Sequence, residues 1–284
     1  MGKSKLIYYM RHNALVTFGF AILALLVLAS LLAPWLAPYP QDAHGAVHTE
    51  RAFLPPSGAH LFGTDALGRD LFSLVLYGGR ISLSAGCIAI VVSVAAGALI
   101  GLIAGYVGGW IDEMLMRFTD IVLSFPPLLL AVSIASLLGP SLSHALLAIM
   151  LSWWPWYTRL IRSQIVQLRS AGYVESAIVS GKGAGAIMRR HILPNSLSPV
   201  IVQASMDFGS IILTLAGLSF LGMGAQPPST EWGLLVSQGK TYVLSNWWYA
   251  AFPGLPILLT AVALNLAGDG LRDLLDPRQK GVTR

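Results

Sequence analysis

The chain has 284 residues, of which 55% are hydrophobic and only 11% are charged, and its formal net charge is +5. Soluble globular domains carry about 25% charged residues, so this composition excludes an ordinary soluble domain. Apolar runs of about 20 residues predict a protein that crosses a membrane several times. The single cysteine, Cys87, excludes an intrachain disulfide.

The first 13 residues form a short basic head, and an apolar run from Ala14 to Leu36 follows. A basic head before an apolar core is also the pattern of a cleaved signal peptide, whose core has about 7–15 residues. Because this run is longer, we interpret residues 14–36 as a first transmembrane helix that is retained.

Residues 37–80 form a polar, proline-rich loop without a long apolar run. His44 and His48 stand four residues apart, a spacing that on a helix could hold a metal ion. No further ligand completes such a site, so we predict none. Near the end of the loop, Leu71 and Leu74 stand at helical spacing. They predict a helix that lies along the outer membrane surface before the second span.

Five further spans follow, with a short turn expected at residues 108–120. The spans cover about residues 81–106, 121–138, 144–157, 201–221 and 248–266. In the second span, Gly97, Gly101 and Gly105 form a small-xxx-small face, which lets helices approach closely in lipid. This face predicts a packing seam, either between two subunits or within this chain.

The fifth span contains one ionisable residue, Asp207, which the predicted span places near its inner end. An ionisable group at membrane depth is a functional candidate by default. A position close to the interface would need no such role, and both interpretations stay open.

The distribution of positive charge predicts the orientation of the chain. Six spans put both ends on one side, and 14 of the 18 Lys and Arg residues fall in the head, residues 108–120, residues 159–195 and the tail. The other four are Arg51, Arg69, Arg80 and Lys240. By the positive-inside rule, the basic segments and both termini are cytoplasmic. Their spread over every inner segment excludes a nucleic-acid-binding patch.

The most informative stretch is YVESAIVSGKGAGAIMRRHILPN, residues 173–195, which is polar and basic between two apolar spans. The glycines at 181, 183 and 185 predict a break between two short helices. Pro194 predicts the end of the second helix, since proline has no N–H and restricts the residue before it. On spacing alone, a helical connecting loop and a binding surface are equally good interpretations.

This stretch resembles the cytoplasmic EAA loop of binding-protein-dependent ABC transporter permeases, which reads E-A-A, three residues, G, nine or so residues, then I-x-L-P. The matching residues are Glu175, Ser176, Ala177, Gly181, Leu193 and Pro194. Ser176 replaces the middle alanine, and His191 replaces the isoleucine. The HILPN sequence is similar to the dipeptide/oligopeptide/nickel subgroup. The resemblance implies that the stretch docks on an ATPase subunit and couples its motion to the membrane.

A second match lies in the first outer loop, where the subgroup carries G-T-D-x-x-G-R-D just before the second span. The matching residues are Gly63, Thr64, Asp65, Gly68, Arg69 and Asp70. The charged members either cap and pair with one another or contact substrate, and both roles stay open. With FLGMGAQPPSTEWG and GDGLRDLLDP further on, the resemblance covers about residues 60–278.

The resemblance implies an all-α integral membrane protein with six transmembrane helices, the type I ABC importer permease fold. Its parts would be a cytoplasmic head 1–13, a first helix 14–36, a periplasmic loop 37–80, a five-helix core 81–271 that includes the coupling loop 159–195, and a cytoplasmic tail 272–284. Its implied function is to form half of an inner-membrane path for di- or oligopeptides or a similar small solute, such as a nickel chelate, opine or oligosaccharide. The implied partners are a second homologous permease, two ATP-binding subunits, an extracytoplasmic solute-binding protein and membrane lipid.

The sequence lacks the common motifs of a catalytic or nucleotide-binding chain. No G-x-x-x-x-G-K-[S/T], G-x-S-x-G, H-E-x-x-H or C-x-x-C occurs, so we expect ATP hydrolysis in partner subunits and predict no cofactor, metal or catalytic residue. An ion-driven secondary transporter is the alternative. It would need several buried ionisable residues and internal repeats, whereas Asp207 is the single clear mid-span candidate.

Overall fold

A computed structural model describes residues 13–275, apart from the side chains at positions 175, 178, 184, 191, 195, 274 and 275. Within this range every regular element is helical, so the all-α prediction is confirmed. The predicted head and most of the predicted tail lie outside the described residues. The α-helices are α1 (Ala14–Leu31), α2 (Ala33–Leu36), α3 (Leu71–Val107), α4 (Gly109–Leu123), α5 (Pro127–Leu138), α6 (Leu142–Arg169), α7 (Gly172–Val179), α8 (Ala184–Ile187), α9 (Leu193–Phe220), α10 (Trp232–Gly239) and α11 (Trp248–Leu275).

The predicted first span forms α1 and the short α2, with a break at Leu32. Pro34 has no N–H to donate to the carbonyl four residues back, so the longer helix ends there. The first span packs lengthwise on the last, since a Cβ placed on Gly19 would lie 2.7 Å from Cβ of Leu266. One helical turn away in each helix, a Cβ on Gly270 would lie 2.2 Å from Cγ1 of Val16.

The second span corrects the prediction of a separate helix on the outer membrane surface. Asp70 caps α3, which then runs without interruption for 37 residues, or about 55 Å. Leu71 and Leu74 are fully buried and pack in one cluster with Leu235 and Trp248 of the second outer loop and last span. Their helical spacing therefore belongs to the first turns of the second span.

The third span is broken, and the turn predicted at residues 108–120 is helical. α4 and α5 meet at 84° across the break that follows Leu123. Pro126 and Pro127 lack the N–H groups that would continue the helix, and Pro127 takes the first position of α5. The predicted start of this span at Ile121 lies inside α4.

The glycine face of the second span packs within the chain, against α6. A Cβ on Gly97 would lie 2.5 Å from Cβ of Tyr157, and one on Gly101 would lie 2.6 Å from the carbonyl oxygen of Thr158. Gly105 continues the same contact one turn further on. The sequence left open a seam between two subunits or one within the chain, and the described residues form the seam within the chain. The glycines on it leave no room for a side chain.

Among the described residues, four helices are long and apolar enough to cross a membrane, namely α1, α3, α9 and α11. The bent pair α4–α5 is a fifth candidate. α6 is long enough, with 28 residues, but it is less apolar, and the predicted fourth span forms its first half. The predicted fifth and sixth spans are parts of longer helices, because α9 already begins at Leu193 and α11 continues to Leu275.

Candidate coupling site and outer-loop network

Residues 173–195 begin with the predicted helix and break. α7 ends at Val179, and Gly181 follows with a φ of 74°. The N–H of Lys182 donates to the carbonyl of Ala177 at 3.2 Å, which is the hydrogen bond of a Schellman motif with glycine at C′. A Cβ at position 181 would meet nothing within 4 Å, so lack of space is not the reason for a glycine at this position. The reason is the positive φ, which glycine adopts without strain.

α7 buries one face in the chain and exposes the other. Val174 is fully buried and Ala177 is only 5% exposed, both within the apolar core. Ala177 belongs to the motif that is predicted to dock on an ATPase subunit, but its small side chain faces the chain's own core. On the opposite face, Tyr173 is 45% and Val179 is 88% exposed, with the exposed Ser176 between them. Sequence reasoning missed Tyr173 and Val179, although their spacing of three from Ser176 places them on its side of a helix.

The sequence predicts that the second helix of this stretch ends at Pro194, and this prediction is wrong. After α8, Met188–Ile192 forms a π-helical segment that leads directly into α9, with Pro194 in its first turn. The N–H of Leu193 donates to the carbonyl of Met188, five residues back instead of the four of an α-helix. Because this wider turn precedes the proline, the missing N–H does not stop the helix.

The stretch shares its core with the two long helices that flank it. Ile161 and Ile165 of α6 pack in one cluster with Ile187 and Ile192 of the stretch itself. All four side chains are at most 1% exposed. A displacement of α7 would therefore act directly on α6, and on α9 through the π-helical segment that leads into it. The side chain of Glu175, the first residue of the motif, lies outside the described residues.

Two arginine–aspartate pairs, which sequence reasoning missed, join α4 to α6. Arg162 donates from Nε and Nη2 to the two carboxylate oxygens of Asp112, both at 2.6 Å. Arg159 donates to Asp120 at 2.6 Å. A bidentate pair is stronger and more directional than a single contact. Together the pairs fix the first half of the broken third span against the helix that leads into α7.

In the outer loop, Asp65 and Arg69 form a buried pair. One carboxylate oxygen of Asp65 accepts the backbone N–H groups of Leu67 and Arg69 at 2.8 Å, and the other accepts Nε of Arg69 at 2.7 Å. Asp65 is fully buried and Arg69 is 4% exposed. The two charges therefore neutralise each other away from solvent, as buried ions require.

Asp70 links this turn to α3 and to the rest of the loop. Its carboxylate accepts the backbone N–H and the hydroxyl of Ser73, both at 2.8 Å, and lies 3.0 Å from Nδ1 of His60. Its own N–H donates to the carboxylate of Asp42 at 2.7 Å. All four residues are buried, so Asp70 is engaged by other residues of the loop and by the first turn of α3.

The uncharged residues of the motif fix the backbone. A Cβ on Gly68 would lie 1.8 Å from the carbonyl oxygen of His48, and one on Gly63 would lie 2.6 Å from that of Leu54. Both glycines have positive φ, 74° and 75° respectively. The hydroxyl of Thr64 accepts the N–H of Leu54 at 2.8 Å. The turn thus depends on glycine for both backbone angle and space.

The two histidines at helical spacing have separate partners. Nδ1 of His44 lies 2.8 Å from the carbonyl oxygen of Pro40, and Nε2 of His48 lies 3.3 Å from a carboxylate oxygen of Asp42. In the part of the chain that the structure describes, no group of three or more His, Cys, Asp or Glu side chains is arranged to hold a metal ion.

Glu231 is a buried carboxylate that sequence reasoning did not select. It caps α10 by accepting the N–H groups of Gly233 and Leu234, both at 2.9 Å, and it accepts the hydroxyl of Ser82 in α3 at 3.3 Å. Burial raises the pKa of the Glu231 carboxyl, although these hydrogen bonds favour its ionised form. Glutamate is not among the usual N-cap residues, so no sequence pattern indicates this connection between the second outer loop and α3.

Comparison with known proteins agrees with this architecture. A family model described as "Binding-protein-dependent transport system inner membrane component" matches residues 97–281. A second model, described as "N-terminal TM domain of oligopeptide transport permease C", matches residues 6–56. The two matches together cover both the core and the first span.

Similar proteins include the probable D,D-dipeptide transport system permease protein DdpC of Escherichia coli (strain K12). It is 46% identical over 278 residues, which cover 98% of this chain and 92% of DdpC. The dipeptide transport system permease protein DppC of Alkalihalophilus pseudofirmus is 42% identical over 271 residues, or 95% of this chain and 88% of the relative.

The fold also matches a solved structure of the MetNI methionine ABC transporter in an inward-facing conformation. The TM-score is 0.57 at 17% identity, over 72% of this chain and 96% of that chain. At this identity the likeness shows the fold alone, which is that of an importer permease. This chain therefore belongs to the family of binding-protein-dependent transport system inner membrane components, and it has the type I permease fold that the sequence predicts.

Proposed function

We propose that this protein forms half of the translocation path of an ABC importer for di- or oligopeptides. The family assignment supports a transport role in the inner membrane, and the names of relatives at 42–46% identity refer to dipeptides. A second homologous permease completes the path, and a solute-binding protein delivers substrate to the outer loops. ATP is hydrolysed by two separate subunits.

The observation that carries this proposal is the arrangement of α7. One face of this helix is fixed in the core, while Tyr173, Ser176 and Val179 stand on the surface. Exposed apolar residues on a firmly held element mark a protein contact surface. We infer that an ATP-binding subunit docks on this face, and that Glu175 and Gly181 lie within the contact.

Transport in this proposal is a two-state switch biased by nucleotide. ATP binding draws the two ATPase subunits together and moves α7 with them. Since α7 shares a close-packed core with α6 and α9, the displacement passes to both helices as rigid bodies. The pairs of Arg159 and Arg162 with α4 carry the same motion to the broken third span.

The outer-loop motif, residues 63–70, has a structural role in this proposal, because its charged groups are buried, with Asp65 paired to Arg69 and Asp70 to His60. The termini are cytoplasmic, as the positive-inside rule predicts. A C-terminal fusion to a reporter that is active only in the periplasm should give no signal, and a strong signal would overturn the orientation.

The first experiment is to purify the protein with its partners from native membranes in a mild detergent and to identify them by mass spectrometry. The proposal expects an ATPase that carries a phosphate-binding loop and a second permease. The purified complex is then reconstituted in liposomes with its binding protein, and uptake of a labelled dipeptide is measured. Uptake that requires ATP supports the proposal. Uptake that follows an imposed proton or sodium gradient without ATP would favour the ion-driven alternative, and ATP-driven uptake of another solute would correct the substrate class.

A further inference from the structure

Asp207 lies midway along α9, which begins at Leu193 and so extends beyond the predicted fifth span. Its carboxylate accepts the hydroxyl of Tyr157, which lies midway along α6, at 2.6 Å. Its second oxygen accepts Nε2 of Gln203 at 2.9 Å. The carboxylate is therefore held between the middles of two long helices of the core.

The negative charge of Asp207 has no cationic partner among the described residues. No lysine, arginine or histidine nitrogen there lies within 4.0 Å of it. The arginines that follow Tyr157 on α6 are already paired, Arg159 with Asp120 and Arg162 with Asp112. Two neutral donors hold the carboxylate in place, but they do not neutralise it. An uncompensated carboxylate that is partly removed from water between two helices is costly.

The position of Asp207 on α9 indicates what neutralises it. Asp207 is half-buried, and the polar residues Gln203 and Ser210 beside it on the helix are exposed. Other faces of α9 are covered, since Gly209 packs on α11 and Phe208 on α3. Ionised groups inside membrane proteins face a water-filled cavity or another polar group, and not lipid. The polar edge formed by Gln203, Asp207 and Ser210 is therefore suited to line an aqueous path.

We propose that Asp207 is a substrate-contacting residue of the translocation path and that it binds a primary ammonium group, as found at the N-terminus of a peptide. This inference rests on the proposed function. A carboxylate has about four acceptor sites, and Tyr157 and Gln203 use two of them. The remaining sites suit the three N–H donors of an ammonium ion. Tyr157 is a positioning residue, because its hydroxyl fixes the direction of the carboxylate.

The test compares uptake of a dipeptide with uptake of its N-acetylated form, which lacks the positive charge. The complete importer in liposomes with its binding protein and ATP is measured as wild type, Asp207→Asn and Tyr157→Phe. Asp269→Asn is the control, since it removes an exposed carboxylate near the end of α11. The binding protein is the same in every preparation, so its own preference cancels between variants.

We expect Asp207→Asn to reduce the preference for the free amino group by about tenfold, the scale of one hydrogen bond to a charged group. Tyr157→Phe should reduce it by less, and Asp269→Asn should leave it unchanged. Assembly of the complex should stay at the wild-type level in all three variants, and ATP hydrolysis should stay at that level in Asp269→Asn. A stable Asp207→Asn importer with an unchanged preference would overturn the inference.

Two further outcomes separate this inference from its alternatives. If Asp207→Asn no longer copurifies with the second permease, the carboxylate meets a cation of that subunit, and the substrate role is wrong. If the wild-type importer takes up no peptide at all with ATP, the proposed function itself fails, and the assignment of an ammonium ligand fails with it. ATP-driven uptake by the wild type therefore distinguishes a failed function from a failed role of Asp207.

Discussion

In the outer loop around residues 63–70, the charged side chains are buried and paired, whereas the coupling helix α7 leaves polar and apolar side chains on the surface. Both segments carry charged motifs between apolar spans, so their composition alone does not separate them. Their surroundings do. The outer network satisfies its own charges and holds a shape, while α7 is fixed on one side and open to a partner on the other. The comparison teaches that a polar segment between spans is suited to docking where it leaves side chains exposed, and that it holds a shape where its charged groups are buried and paired.

The largest expected effect is a loss of stability caused by Asp65→Ala in the outer loop. This change leaves the Arg69 guanidinium buried without a partner and removes the acceptor of two N–H groups. We expect a loss of about 3–5 kcal/mol in the free energy of unfolding, measured by denaturant unfolding of the purified protein in detergent. The double change Asp65→Leu with Arg69→Met should recover part of it, because apolar residues can replace a buried pair. Normal stability with lost transport would instead indicate that the motif contacts substrate.

A smaller effect is expected at the seam that joins the two regions, since α3 begins at the outer network and α6 leads to α7. In Gly101→Ala the new Cβ would lie 2.6 Å from the carbonyl oxygen of Thr158, so the two helices must separate. We expect a destabilisation of about 1–3 kcal/mol by the same unfolding measurement. Gly217→Ala is the matched control, because a Cβ there meets nothing within 4 Å. Equal stability of the two variants would mean that the seam tolerates expansion.

At the end of the coupling helix α7, Gly181→Asp should change only the local backbone. The residue has a φ of 74°, and an L side chain in that conformation costs about 1–2 kcal/mol. We expect normal amounts of protein in the membrane but no ATP-driven uptake, because the end of α7 is remodelled. Gly183→Asp introduces the same charge two residues away without a positive φ, and it should retain more uptake. Wild-type uptake by Gly181→Asp would remove this glycine from the coupling site.

Val179→Asp is expected to have the smallest effect on stability. It should nevertheless weaken the docking of the ATPase subunit. Its side chain is 88% exposed, so the free energy of unfolding should change by no more than about 0.5 kcal/mol. Loss of an apolar docking contact should weaken binding of the ATPase subunit about tenfold, which is about 1.4 kcal/mol, as measured by titration of that subunit. Val243→Asp, at a half-exposed valine of the second outer loop, is the control and should bind normally. Unchanged binding in Val179→Asp would move the docking face away from α7.

Local features of the sequence determined the class and the outline of this protein. Apolar runs predicted where the spans lie, and the spacing of glycines and proline placed the coupling stretch, because such patterns act over a few residues. The predicted need for glycine at position 181 agrees with its backbone angle. The same local reasoning failed at Pro194, where a π-helical turn keeps the helix continuous, and at residues 108–120, which are helical.

The tertiary structure alone decided which groups meet. Gly101 packs on α6 and not on another subunit, Ala177 faces the core, and Asp207 meets Tyr157 from a helix 50 residues away in sequence. A single sequence does not contain these contacts as a pattern, because they depend on how long helices cross and which of their faces come together. The charge of Asp207 is visible in the sequence, but only the surrounding helices show that none of the cationic groups described in the structure lies beside it.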